Sequence, residues 1–528
     1  MWEKCCNIHN IYKSGVVVLM KYSIKEKLLA CALALAFAVP AAACAKSNGD
    51  EANASLYGGD AVVGITQEPM IFDPYTVEAA GDREILFNVY EGLYKFDSTG
   101  TLNPCLATDV VISDDATTYT FTIREGVTFH DGSELDTGDV VYSLQKAAEI
   151  KSEFADVESV VDNGDGTVTV TLNNPNSEML SFFTVAIIPE GSYDTIGETR
   201  IGTGPFMFTS YEAGIGIVLT RNDNYWIPEL PYLDTVTFKV CADMDSGFLE
   251  LQNGAIDIFP YLMTDKANQL NPASFEVLSL GSNMVQGLFL NNAVEPFDDV
   301  RVRQAINYAI DREEIINLTM DGAGVPLTTG MSPVIGDAYD SSLDNAYPHD
   351  TDRALELLEE AGYGDGFDMT ISVPSNYLVH VNTAVAIADE LDDIGINVEI
   401  EQVDWATWLD RIYGNREYQS TIIALTSDYA PYDVIGRYLS SADNNFINYS
   451  NPEVDAIIEQ IPLTIDENER NELYHQLLGY MTEDAASCYI QDPYSTCAVS
   501  RRLSGYNLYP MYIQDMSTVH LAVDPAES

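Results

Sequence analysis

Two hydrophobic periodicities divide this chain, and the switch between them restricts the folds open to it. Upstream, residues 119–124 (YTFTIR) and 167–172 (TVTVTL) alternate apolar and polar side chains with period two, the mark of strands with one face buried. From Phe297 the texture changes. FDDVRVRQAINYAIDREEIINL sets Val302, Ala305, Ile306, Ala309 and Ile310 at helical spacing, with Asp298 or Asp299 placed to cap the first turn. A second helix is predicted over 352–361, closed by Gly362, and a third from about 382 to 393, followed by a strand over 396–402. Helices alternating with short strands require a sheet covered on its faces, an α/β domain. Nearer the N-terminus, residues 60–67 (DAVVGITQ) form the apolar run of a buried strand, and Asp73-Pro74 turns the chain after it. Between 162 and 166, DNGDG closes a hairpin; no Glu stands at the twelfth position that a calcium loop needs.

At 528 residues the chain exceeds what one core usually supports, so two or three domains are expected. The net charge of −57 does not signal disorder, because 46% of the residues are hydrophobic and 10% aromatic. It describes a solvated acidic surface that repels nucleic acid and anionic membranes and attracts cations.

The first residues are an export signal and not part of the fold. Met20, Lys21, Lys25 and Lys27 open residues 20–43 as a charged region, followed by an apolar core from Leu28 to Val39 and the small residues Ala41, Ala42 and Ala43 before Cys44. The core is about a dozen residues long, short of the ~20 that a membrane-spanning helix requires. The AAAC junction resembles a lipobox with Ala41 where Leu is usual, so Cys44 is the expected lipidation site and the mature N-terminus, with ordinary signal-peptidase cleavage the alternative. Residues 1–19 carry no targeting pattern and read as an upstream start-site artefact, and 44–58 read as a flexible tether. Beyond Cys44 only Cys105, Cys241, Cys488 and Cys497 remain, none in a CxxC or beside His at ligand spacing, so no metal site and no cofactor are expected. Cys488 and Cys497 are either a disulfide across a short loop or two buried thiols.

Eight segments in order carry a family likeness: YEGLYKFDSTGTLNPCLAT from Tyr90, TFTIREGVTFHDGSELDTGDVVYSL from Thr120, IGTGPFMF from Ile201, RNDNYW from Arg221, LQNGAIDI from Leu251, LFLNN from Leu288, PFDDVRVRQAINYAIDR from Pro296 and NYSNPEVDAII from Asn448. Together they resemble the family 5 extracytoplasmic solute-binding proteins of ABC importers, which include oligopeptide, dipeptide and nickel binders, and most of all the oligopeptide binders. The resemblance implies an α/β fold, two-lobed and three-domain, like a periplasmic binding protein of type II, large cluster, with an inserted extra domain. It implies a discontinuous domain I over 59–90, 196–283 and 490–528, an inserted domain II over 91–195, and a domain III over 284–489 forming the second lobe, with crossings near Met284 and Ile490. A protein of this kind captures a peptide between its lobes and delivers it to an ABC permease and ATPase complex. It would work as a monomer, lipid-anchored on the outer face of the bacterial cytoplasmic membrane, with no nucleic-acid partner. The alternative ligand is not a peptide but a nickel complex, an oligosaccharide or an opine. An exported hydrolase is disfavoured, since no GxSxG, HExxH, SxxK or Walker pattern occurs. His130 and Asp131 have no clustered partners and read as structural.

The site residues come from the same resemblance. In TIIALTSDYAPYDVIGRYLSS from Thr421, Asp428 stands where oligopeptide binders hold the ligand α-ammonium, and Tyr429 beside it is placed to stack on the ligand. The family commonly has Trp three residues before that Asp; here it is Leu425. The stretch 372–382 (SVPSNYLVHVN) is read as the loop before the third helix and lacks the Arg that clamps a dipeptide carboxylate, leaving His380 as a candidate for the ligand C-terminus or as a solvated loop residue. Trp405 and Trp408 are three apart; Trp405 is the candidate to line the cleft and Trp408 to pack in the core.

Overall fold

The computed structural model describes residues 56–77, 79–426 and 430–523. The expected export signal, Cys44, Asp428 and Tyr429 lie outside the described residues. Among these, one twelve-stranded sheet runs through the molecule, in the order Ile396–Val403, Phe367–Pro374, Ser420–Thr426, Met284–Leu290, Cys488–Ser500, Ile258–Phe259, Asp60–Ile65, Thr235–Val240, Gly216–Arg221 and Phe206–Glu212, with Phe275–Gly281 and Gly324–Pro326 also paired to Cys488–Ser500. Strand Asp60–Ile65 lies parallel to both Thr235–Val240 and Ile258–Phe259, the position its apolar run predicts for a strand buried on both faces.

The sheet is shared by two lobes. The apolar core of the first takes in Val63, Phe206, Phe238 and Val499 together with Phe121, Val168 and Phe183 from around a separate four-stranded antiparallel sheet spanning Ala107–Ile112, Thr118–Ile123, Thr167–Leu172 and Val157–Asp162. The DNGDG turn joins two strands of that small sheet as the expected hairpin. The second lobe has two cores, one under helices Val300–Ala309, Thr351–Ala361 and Leu378–Asp392, the other under helices Pro452–Gln460 and Glu467–Glu483. Caps fall where the sequence places them: Asp299 accepts from Arg301 N at 2.9 Å, and Gly362 ends its helix at φ 91°.

The chain passes between the lobes at 281–284 and again along Cys488–Ser500. That long strand pairs with Met284–Leu290 at its start and with Phe275–Gly281 over its second half.

Three readings are corrected or decided here. His380 is not in a loop: helix Leu378–Asp392 starts four residues before the predicted point, and His380, Thr383, Ala384, Ile387 and Leu391 form its buried stripe. A histidine heading that stripe hid its beginning. Cys488 and Cys497 cannot bridge, because they lie on one extended strand, where nine residues span on the order of 30 Å. Both are buried free thiols, pushed up to about 11 and about 12 by burial. His130, whose ring is pushed below the usual histidine range by burial, packs on the GTGPF turn: its Nδ1 accepts from Gly202 N at 3.3 Å and its Nε2 donates to Gly204 O at 3.0 Å.

Candidate functional site

A cavity of about 550 Å³ lies between the lobes, at the size of small-ligand sites. Residues 261–265 and 509–512 wall it on the first lobe. Residues 319–321, Leu378, Val379 and Asn382 wall it on the second, and Ser282, Met284 and residues 493–496 of the crossing strands form its floor. The two helix ends that reach it are set by local sequence. Arg312–Met320 starts on Asp311, which accepts from Glu314 N at 3.0 Å, and stops at Asp321 in the left-handed region at φ 52°. The first turn of Leu378–Asp392 has no side-chain cap.

The floor is pinned by one carboxylate. Asp492 is fully buried; its Oδ1 accepts from Ser282 N (3.0 Å), Ser282 Oγ (3.1 Å) and Met284 N (3.1 Å), and its Oδ2 from Ser332 Oγ (2.5 Å). One crossing thereby grips the other. Burial pushes Asp492 up and the four donors pull it back. Gly281 is required beside it, because a Cβ there would sit 2.6 Å from Asp492 Oδ2.

The first-lobe wall is held from behind. Tyr261, at φ 57°, donates its hydroxyl to Glu84, which is buried in helix Ala80–Leu86, and its ring tilts against Tyr512 at 5.6 Å. Burial raises Glu84 to about 7 against the hydrogen bonds from Tyr261 and Gln514. The second-lobe wall stands on a buried amide chain: Gln491 Nε2 donates to Gln286 Oε1 at 2.8 Å, and Gln286 Nε2 donates to His380 Nδ1 at 2.8 Å. Burial pushes His380 down to about 4, so the neutral ring accepts at Nδ1.

Of the residues singled out from sequence, none that is described lines the cavity. His380 lies behind Val379 and Asn382, 6% exposed. Trp405 stands beside Tyr377 at 5.6 Å, next to lining residue Leu378, and stacks on Trp408 at 5.1 Å and 3°. Trp408 is buried and donates Nε1 to Thr421 Oγ1 at 2.9 Å, while Trp405 is 37% exposed. The lining was missed because it is assembled from helix ends, strands and loops far apart in sequence, which no local pattern connects. The pointers present in the sequence were Met284, at an expected crossing, and the stretch 372–382, which holds Leu378, Val379 and Asn382.

The family described as bacterial extracellular solute-binding proteins, family 5 middle, matches residues 101–446. The oligopeptide-binding protein AppA of Bacillus subtilis is 28% identical over 526 residues, covering 92% of this chain and 96% of that protein. The glutathione-binding protein GsiB of Salmonella paratyphi A is 27% identical over 483 residues, covering 86% and 93%. The structure of HbpA2 from Haemophilus parasuis matches this fold with a TM-score of 0.81 at 23% identity, covering 88% of this chain and all of that one.

Proposed function

Because the chain belongs to the bacterial extracellular solute-binding proteins of family 5, which serve ABC importers, we propose that it captures oligopeptides between its lobes and hands them to a permease. The cavity supports this most directly: both lobes and both crossings contribute to one cleft, so a ligand seated there touches both of the bodies that closure would move. Residues 59–90, 196–283 and 490–528 are assigned to domain I, 91–195 to the insert and 284–489 to the second lobe. Lipid attachment at Cys44 completes the reading, holding a monomer at the outer membrane face. Asp428, two residues in sequence after strand Ser420–Thr426, is proposed to take the ligand's α-ammonium.

Calorimetry with a nonapeptide and its N-acetylated form, on wild type and Asp428→Asn, tests the reading. The free peptide should bind wild type more than a hundredfold tighter than any other combination, the cost of an uncompensated buried charge at about 3 kcal/mol. The two losses should not add, because each deletes the same interaction. No binding of any peptide, with a metal complex, a sugar or an opine found by mass spectrometry in protein from its native host, would reject it.

A further inference from the structure

We infer that the interlobe cavity is a subsite for a bulky apolar side chain of the ligand and that it discriminates against carboxylates. The inference rests on the peptide reading above and adds the chemistry of what is bound. Four methionines line the cavity, Met263, Met284, Met320 and Met511. Tyrosines join them from both first-lobe segments and from the crossing strand, as Tyr261, Tyr512 and Tyr494. Thioethers and aromatic rings pack against apolar groups of varied shape, since an unbranched methionine adapts its rotamers to what it meets.

The charge of the lining has one sign. Asp265 and Asp321 are its ionisable acids, and no Lys or Arg is among the described residues that line it. Lys266, next in sequence to Asp265, is engaged with Asp245 at 2.6 Å. Helix Arg312–Met320 brings its C-terminal end to the wall through 319–321, and that end of a helix disfavours anions. One feature has the opposite sign: the uncapped N-terminus of Leu378–Asp392, worth about two- to fivefold in favour of an anion. Two carboxylates and an opposed helix end outweigh it. A ligand carboxylate shut into this half-open cleft by closure of the lobes would lose water and gain no cation, whereas an aromatic or thioether side chain would lose only apolar hydration.

The test uses pentapeptides of alanine with a single Phe, Met, Lys or Glu walked through all five positions, measured by calorimetry on the mature chain. At one position at least, Phe and Met should bind about tenfold or more tighter than Glu, with Lys between them. Val379→Arg, a half-buried lining residue, should raise the affinity for the Glu peptide about tenfold and abolish the discrimination. Asp265→Asn combined with Asp321→Asn should narrow the gap without adding a large side chain. Equal affinity for Phe and Glu at every position, in wild type and variants, overturns the inference and leaves the peptide reading standing. Absence of binding by every peptide overturns both.

Discussion

The hydroxyl of Tyr474, in the second lobe, donates to Glu178 Oε1, which belongs to the first. Arg470 Nε lies 3.7 Å from the same oxygen, and the neighbouring Ser177 donates its N to Pro462 O at 2.8 Å and its Oγ to Ile461 O at 3.2 Å. The lobes are therefore joined by a buried polar clasp as well as by the crossing strands. A carboxylate and a phenol that meet only when the lobes meet bias the open–closed equilibrium toward closure. Tyr474→Phe removes a side-chain hydrogen bond from the buried Glu178, which should cost about 1–3 kcal/mol, or roughly five- to 150-fold in the closed-to-open ratio. Energy transfer between dyes on cysteines introduced at the exposed Val161 and Leu355 would report it, since the four described native thiols are buried. Distance distributions that stay the same in Tyr474→Phe and Glu178→Gln would show that the contact does not govern closure.

Glu84 should give the protein a stability that declines with rising pH. Its folded pKa of about 7 lies above the ordinary 4.5, so between those values the native state holds a proton that the unfolded chain releases. Its contribution is fully present below about 4.5 and is lost as pH rises through 7, about 3 kcal/mol in all. Glu390, raised to about 8, acts in the same direction and stays in the background. Urea midpoints from pH 5 to 8 should fall less steeply for Glu84→Gln than for wild type; parallel curves would remove Glu84 from the account.

How far the sequence could be read follows from the range of the contacts involved. Asp299 and Gly362 act within one helical turn, and their roles are visible in the neighbouring residues. The two-lobed architecture was legible through eight ordered segments and not through physics alone. What escaped was the cavity and its supports. Tyr261 and Glu84 are 177 residues apart, and Ser282 and Asp492 are 210 apart, so no local pattern marks either pair. The start of helix Leu378–Asp392 failed for a different reason: its buried stripe opens with a histidine that finds its partner, Gln286, on another strand.

Asp492 tests whether the crossings are fastened by charge or by shape. Asp492→Ala strips the acceptor from two backbone N–H groups and the Ser332 hydroxyl in a buried site, which should cost about 3 kcal/mol or more, while Ser282 Oγ keeps Pro493 O at 2.7 Å. Asp492→Asn retains an oxygen for the two N–H groups and should cost about 1 kcal/mol. Urea midpoints equal to that of wild type in both variants would mean that the backbone pairing of Cys488–Ser500 alone fixes the crossings.

Cys44 carries the anchoring prediction. With Cys44→Ser the exported chain should leave the membrane fraction, because no helix among the described residues is long and apolar enough to cross a membrane. Wild type fed a labelled fatty acid should take up the label. Membrane retention of the variant, with no label on wild type, would show that the anchor assignment is wrong.

The stacked pair Trp405 and Trp408 separates a proposed ligand contact from a core contact within one turn of chain. Trp408 is buried, bonded to Thr421 and packed near Phe446, so Trp408→Ala should cost about 3–5 kcal/mol of stability. Trp405 is 37% exposed and keeps its place by stacking on Trp408 and edge contact with Tyr377, so Trp405→Ala should cost about 0.5–1.5 kcal/mol. Through Tyr377 it adjoins the wall that begins at Leu378, and a peptide leaving the cavity is proposed to run over it. Trp405→Ala should therefore weaken nonapeptide binding about tenfold while a dipeptide, too short to reach beyond the cavity, is unaffected. A variant that lowers the melting temperature and leaves nonapeptide affinity intact would place Trp405 with Trp408 as packing, and move the outer part of the site to the first-lobe wall at Tyr261 and Tyr512.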